Sequence, residues 1–81
     1  MKFSNGSRVT LTRQEIINIC CSTPLRFHDV VGTQGIIRGF RNDPSSSSVR
    51  QCCIEWVDAN PGVIDRLDTW YNVEAVEEYS L

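Results

Sequence analysis

The sequence lacks the features that mark an exported or membrane-bound protein. No apolar run approaches the roughly 18 to 20 residues that a membrane-spanning helix needs. Residues 1–6 also lack the apolar segment of a signal peptide. We therefore expect a cytosolic chain that is complete as written and does not associate with a membrane.

The sequence also lacks a large excess of one charge. A net charge of −2 argues against a protein whose main task is to hold nucleic acid, because such proteins are usually basic. Residues 1–50 carry seven basic and three acidic side chains, whereas residues 51–81 carry one basic and seven acidic ones. We expect folding to mix these charges, and a polarised surface that steers a charged partner is the alternative.

Histidine is scarce, with His28 as its single occurrence. The chain contains no Walker-type phosphate loop and no metalloprotease motif. A cysteine nucleophile would need His28 as its base and a third group to orient that base, and no motif supports such a set. We expect no catalytic residue, no enzymatic activity and no cofactor. A thiol-based enzyme or redox switch that uses the cysteines is the alternative.

The four cysteines form two adjacent pairs, Cys20-Cys21 and Cys52-Cys53. Zinc ligands usually lie a few residues apart, and neighbouring residues of a strand point to opposite faces. Cys52 and Cys53 can therefore hardly share a metal ion, and we expect no metal site. We predict that one cysteine of each pair packs as a small hydrophobic residue. A crosslink between the two pairs is the alternative.

Alternating apolar and polar residues predict short strands separated by turns, in one domain over residues 1–81. Thr12 is a candidate N-cap for a helix over residues 13–21, with Glu15 completing a capping box, although a strand is the alternative there. In the strongest strand, alternation places Cys52, Ile54 and Trp56 on the core face. The remaining predicted segments are a strand at 8–12, a loop at 25–34, a strand at 36–41, a turn and flexible loop at 42–48, the strong strand at 49–58, a strand at 67–73, and a helical turn with a closing strand at 73–79.

Three segments of the chain resemble the KOW and related SH3-like small barrels. Residues 31–40 resemble their glycine-led strand, with Ile37 and Phe40 at its apolar positions. Residues 53–58 resemble the strand that ends in an acidic turn, and residues 70–77 resemble the closing segment. The resemblance covers about residues 30–80. It implies a mostly β fold, an SH3-like barrel of about five antiparallel strands with a short helical insertion near residues 13–21. Barrels of this kind are mostly binding modules for peptides, protein surfaces, modified side chains or RNA.

The leading functional hypothesis is a non-catalytic module that binds a partner protein. Alternation places Trp70 on the face of Arg66, Asp68 and Asn72, toward solvent, and exposed tryptophans are enriched in binding hot spots. The alternatives are that Trp70 covers the end of the barrel or packs against residues 13–21. The candidate partner-binding residues are Trp70, Tyr71, Asp68 and Arg66.

A nucleic-acid-binding barrel is the alternative function. Its candidate residues are Arg38, Arg41 and Arg50, because arginines beside aromatic residues stack on bases. Alternation places Arg38 on the same face as Ile36 and Phe40, with Arg41 on the opposite face.

Overall fold

The computed structural model describes residues 3–79, so that Met1 and Lys2 of the N-terminal segment lie outside the described part. None of the helices in residues 3–79 is long and apolar enough to cross a membrane. The elements in chain order are β1 (Arg8–Leu11), α1 (Arg13–Ser22), α2 (Phe27–Val30), β2 (Gln34–Asp43), β3 (Ser46–Asp58), α3 (Pro61–Ile64), β4 (Trp70–Asn72), a 3₁₀ helix (Val73–Ala75) and β5 (Val76–Glu78).

The five strands form one antiparallel sheet in the order β4-β3-β2-β1-β5. This confirms a mostly β fold with five antiparallel strands and a short helical insertion. The expected closure into a barrel is not seen, because in residues 3–79 no pairing joins β4 to β5. Both edge strands are only three residues long, and within the described part of the chain each pairs on one side only. The sheet therefore has two open edges.

Helix α1 starts at the predicted cap. The backbone N–H of Glu15 donates to Oγ1 of Thr12 at 3.2 Å, which satisfies one of the free N–H groups of the first turn. In a full capping box the side chain of Glu15 would accept from the N–H of Thr12. Here that N–H donates instead to the carbonyl of Ala75 at 2.9 Å. That bond fixes the start of α1 beside the 3₁₀ helix that precedes β5.

The segment at residues 42–48 is ordered into a tight turn, in contrast to the flexible loop expected there. Strand β2 extends to Asp43 and β3 begins at Ser46, so that only Pro44 and Ser45 connect them. The carboxylate of Asp43 accepts from the N–H and the hydroxyl of Ser45, at 2.9 and 2.8 Å. These two bonds lower the pKa of Asp43 below its ordinary value. Local side-chain hydrogen bonding of this kind stabilises turns. Helix α2, likewise, lies within the loop expected at 25–34.

The core lies on one face of the sheet, and each of the three α-helices contributes one buried residue to it, namely Ile16, Val30 and Val63. The predicted core face of β3 is confirmed, since Cys52 and Ile54 are buried and Trp56 is half-buried. All four cysteines are free, Cys52 is fully buried, and Cys20 packs against the core, as predicted for one member of each pair. The buried apolar residues are Val9, Leu11, Ile16, Val30, Ile37, Cys52, Ile54, Val63, Tyr71 and Val76.

Gly35 lies in β2 where side chains of the neighbouring strand β3 pack closely against its backbone. A Cβ atom at this position would overlap Cγ2 of Ile54 and lie 3.0 Å from Cε3 of Trp56. A Cβ atom at Gly39, farther along the same strand, would meet no atom within 4 Å. The two glycines therefore form a matched pair for testing the packing.

We predict that Gly35→Ala lowers the free energy of unfolding by about 1–3 kcal/mol, the usual cost of overpacking a core. Gly39→Ala should change it by less than about 0.5 kcal/mol, as is usual for a substitution away from tight packing. Urea denaturation followed by circular dichroism measures both values. Equal stability of the two variants would contradict the packing described for Gly35.

Candidate functional site

A β-bulge in β2 decides which side of the sheet the arginines occupy. The register with β3 shifts between Ile37 and Gly39, so that Ile37 pairs with Ile54 and Phe40 pairs with Cys52. Both pairs lie on the core side. Ile37 and Phe40 are three residues apart in β2, whereas their partners Ile54 and Cys52 are two residues apart in β3. The prediction that Arg38 and Arg41 lie on opposite faces is therefore wrong, because the extra residue of a bulge reverses the alternation beyond it. Both arginines lie on the outer face of the sheet.

Arg41 is held over the ring of Trp70 on this outer face. Its guanidinium carbon lies 4.2 Å from the ring centroid, and its Nε donates to Oε1 of Gln51 at 2.9 Å. Gln51 in turn donates from Nε2 to Oδ1 of Asn72 at 3.2 Å. The chain of contacts crosses β2, β3 and β4, and it fixes the Arg41 guanidinium before any ligand binds. We call Arg41, Gln51, Trp70 and Asn72 the outer cluster.

The other two candidate arginines differ from Arg41 in their surroundings. Arg38 pairs with Glu55 at 3.0 Å, and both side chains are more than half exposed. Arg50 faces the opposite side of the sheet, where it donates to Oδ1 of Asn42 at 3.3 Å and lies 5.6 Å from the centroid of the Phe40 ring. The structure therefore places Arg38 and Arg41 on one face of the sheet and Arg50 on the other.

The four candidate partner-binding residues meet in a groove between α1 and β4. Two depressions of about 190 Å³ each share Glu15, Asp68 and Tyr71 in their walls. We call them together the α1–β4 groove. The part next to β4 is completed by Gln51, Trp70, Asn72 and Ala75. The part next to α1 is completed by Asn18, Ile19, Ser22, Thr23 and Arg66.

Tyr71 contributes to this groove from the core. Its side chain is only 6% exposed, and its hydroxyl accepts from the N–H of Asp68 at 3.1 Å. The indole N–H of Trp56 donates to the carbonyl of the same Asp68 at 2.9 Å, and the two rings meet edge to face at 5.7 Å between centroids. Two core aromatic residues therefore fix the backbone of Asp68, whose exposed carboxylate belongs to the groove.

The groove has a negative character. Burial raises the pKa of Tyr71 to about 12, and the charges of Asp68 and Glu15 add to the shift. Within the described residues the only ion pairs are His28–Asp29 and Arg38–Glu55, so neither Glu15 nor Asp68 is neutralised by direct pairing. Arg66 lines the part next to α1 and not the part next to β4.

Sequence reasoning missed Glu15 and Gln51 as members of this surface. Glu15 has an evident local role at the start of α1, and nothing local indicates that α1 lies beside β4. Gln51 belongs to the outer cluster because it pairs with Asn72 across β3 and β4, in a register that alternation alone does not give. Both residues join the site through contacts between segments far apart in the chain.

Metal binding and thiol chemistry depend on how the cysteines, His28 and the acidic side chains are placed. No group of three or more histidine, cysteine, aspartate or glutamate side chains is placed to hold a metal ion between residues 3 and 79. His28 is exposed, and its Nε2 lies 3.4 Å from Asp29. Burial raises the pKa of the Cys52 thiol, which is opposite to the shift that activates a nucleophile.

Comparison of this chain with protein-family models, curated proteins and solved structures found no match. A functional proposal for the chain therefore rests on its own residues and their geometry. The features that carry it are the outer cluster and the α1–β4 groove, which meet at Trp70.

We predict that Tyr71 makes the fold less stable in alkaline solution. Its pKa is raised from 10.0 to about 12 on folding, so the unfolded state ionises first and stability falls as the pH rises between these values. From about pH 9 to about pH 11 the loss from this group is at most about 1 kcal/mol. Urea denaturation in reducing buffer should show a smaller alkaline loss for Tyr71→Phe than for the wild type. Parallel pH profiles of the two proteins would contradict the assignment.

Proposed function

We propose that this chain is a non-catalytic interaction module that binds a partner protein through the surface around β4. The observation that carries the proposal is the position of Trp70. This half-buried residue lies on an edge strand, contacts the fixed guanidinium of Arg41 on the outer face, and lines the α1–β4 groove.

The chemistry of the surface favours a protein as the partner. Tryptophan and arginine are the residues most enriched among binding hot spots, and here they are in contact at the centre of the surface. Charges of both signs surround them, with Arg38 and Glu55 on the outer face and Asp68 in the groove. Because Gln51 and Asn72 hold Arg41 in place, little side-chain freedom is lost on binding.

The resemblance to SH3-like barrels is part of the same proposal. The strand order β4-β3-β2-β1-β5 supports it, as does the 3₁₀ helix between an aromatic strand and a last short strand. Binding modules are common among barrels of this kind, but a fold alone does not select the ligand. The choice of a protein partner therefore depends on Trp70 and its neighbours.

We predict that Trp70→Ala and Arg41→Ala each weaken partner binding about tenfold or more, as expected for hot-spot residues. The chain offers a matched control, because Arg13 lies over Phe27 with its guanidinium carbon 5.4 Å from the ring centroid, and neither residue lines the α1–β4 groove. Phe27→Ala should leave binding within about twofold of the wild type. Proteins captured from lysate by the wild type are identified, and their affinities for each folded variant are measured by calorimetry. Retained binding by both β4 variants, or an equal loss with Phe27→Ala, would contradict the proposal.

Nucleic-acid binding is the second candidate, and one observation favours it. The bulge places Arg38 and Arg41 on the face that also carries Trp70, a combination able to contact phosphates and stack on a base. Two observations weigh against it: Glu55 compensates the charge of Arg38, and Arg50 lies on the other side of the sheet.

Fluorescence anisotropy with labelled single-stranded RNA and DNA of about 20 nucleotides tests this candidate at about 50 and 200 mM salt. If the partner is a protein, we expect no binding that depends steeply on salt. Binding that falls steeply with salt and is weakened by Arg38→Ala and Arg41→Ala would replace the leading proposal with the second one.

A further inference from the structure

The edge of β4 that faces away from β3 has free backbone hydrogen-bonding groups. The N–H of Ile54 donates to the carbonyl of Thr69 at 2.8 Å, and Cys52 pairs with Tyr71 two residues farther along. Because hydrogen-bonded pairs alternate with non-bonded pairs in an antiparallel ladder, the N–H and C=O groups of Trp70 and Asn72 point away from β3. Among the described residues no strand pairs with that side of β4.

The spacing of these free groups suits an extended chain. Trp70 offers one donor and one acceptor, and Asn72 offers one donor, because the carbonyl of Asn72 is the N-cap of the 3₁₀ helix and accepts the first hydrogen bond of that helix. The two residues are two positions apart in β4. This is the repeat with which an added strand forms hydrogen bonds to a sheet edge. A partner protein that presents no exposed strand or extended segment cannot form this row of backbone hydrogen bonds with β4.

The α1–β4 groove borders the same edge and gives the added strand a preferred charge. The part of the groove next to β4 is lined by Glu15 and Asp68 and by no basic residue. Neither carboxylate is in an ion pair within residues 3–79, and both line the same depression as Trp70. Two carboxylates without a paired cation favour a basic side chain as their partner.

We propose that β4 binds an extended segment of a partner protein as an added strand, and that this segment places a lysine or arginine side chain in the α1–β4 groove beside Glu15 and Asp68. The inference rests on the proposed function and deepens it by naming the chemistry of the partner. Backbone bonds to Trp70 and Asn72 supply the alignment, and the two carboxylates supply the preference for a basic residue.

The opposite edge of the sheet is a less favourable place for such a segment. Strand β5 carries Glu77 and Glu78, both exposed, and charged side chains on an edge strand discourage pairing with another chain. These two residues also provide a control with the same number and sign of charges as Glu15 and Asp68.

The probe is a displayed library of random seven-residue peptides selected on the immobilised full chain. We expect the selected peptides to share a lysine or arginine at one position, flanked by residues that favour β structure. The affinity of one selected peptide is then measured by fluorescence anisotropy for two variants. The double variant Glu15→Gln with Asp68→Asn should bind at least about tenfold more weakly, and Glu77→Gln with Glu78→Gln within about twofold of the wild type.

Amide hydrogen exchange of the complex tests the strand pairing itself. The amides of Trp70 and Asn72 should exchange markedly more slowly when the peptide is bound, because they become hydrogen-bonded. The Tyr71 amide, which already faces Cys52, should be protected both with and without the peptide. If a basic side chain bound in the groove without strand addition, the exchange rates of the Trp70 and Asn72 amides would stay unchanged. That result would overturn the inference.

Three other results would overturn this inference, and they differ in whether the proposed function fails with it. Selection of acidic peptides whose binding is lost in Arg41→Ala would contradict this inference and leave a protein-binding surface at β4 intact. Failure to select any peptide, combined with salt-dependent nucleic-acid binding, would contradict both. Equal affinity of the two charge variants would contradict the groove as the site of the basic side chain.

Discussion

Pairing between β2 and β3 supplies the surface on which the other elements assemble. The two strands contribute Ile37, Cys52 and Ile54 to the core, and Gly35 lets the side chains of Ile54 and Trp56 pack closely against β2. The bulge between Ile37 and Gly39 is essential to this arrangement. The bulge keeps Ile37 and Phe40, three residues apart, both on the core side of β2. The same shift turns Arg41 outward, onto the face that Arg38 occupies. The core and the outer cluster therefore depend on one irregularity in one strand.

The groove is connected to the core through the backbone of Asp68. Trp56 and Tyr71 bind its carbonyl and its N–H, so the segment before β4 is fixed by two aromatic side chains that pack against each other. On the other wall, the bond from Thr12 to Ala75 fixes the start of α1. A ligand in the groove thus meets carboxylates whose positions are largely set before binding, which lowers the entropic cost of association.

The uneven charge of the two sequence halves is partly mixed by the fold, as expected. Because β2 pairs with residues 51–58 of β3, which belong to the second half, Arg38 lies beside Glu55 on the outer face. Some charge asymmetry remains around β4. The positive charge of Arg41 lies over the Trp70 ring, whereas the carboxylates of Glu15 and Asp68 line the α1–β4 groove. Charges of both signs around one aromatic residue favour specificity in the choice of a partner more than raw affinity.

The amino-acid sequence determined the features that depend on near neighbours. Thr12 caps α1, and alternation places Cys52 and Ile54 in the core. The strand pattern also puts Asp68 and Trp70 on one face, and both residues line the α1–β4 groove. Tertiary structure alone decided the bulge at Ile37, the approach of Glu15 to β4, and the open edge in place of a closed barrel. These features arise from pairing register and from packing between distant segments, and neither leaves a periodic signal in the sequence.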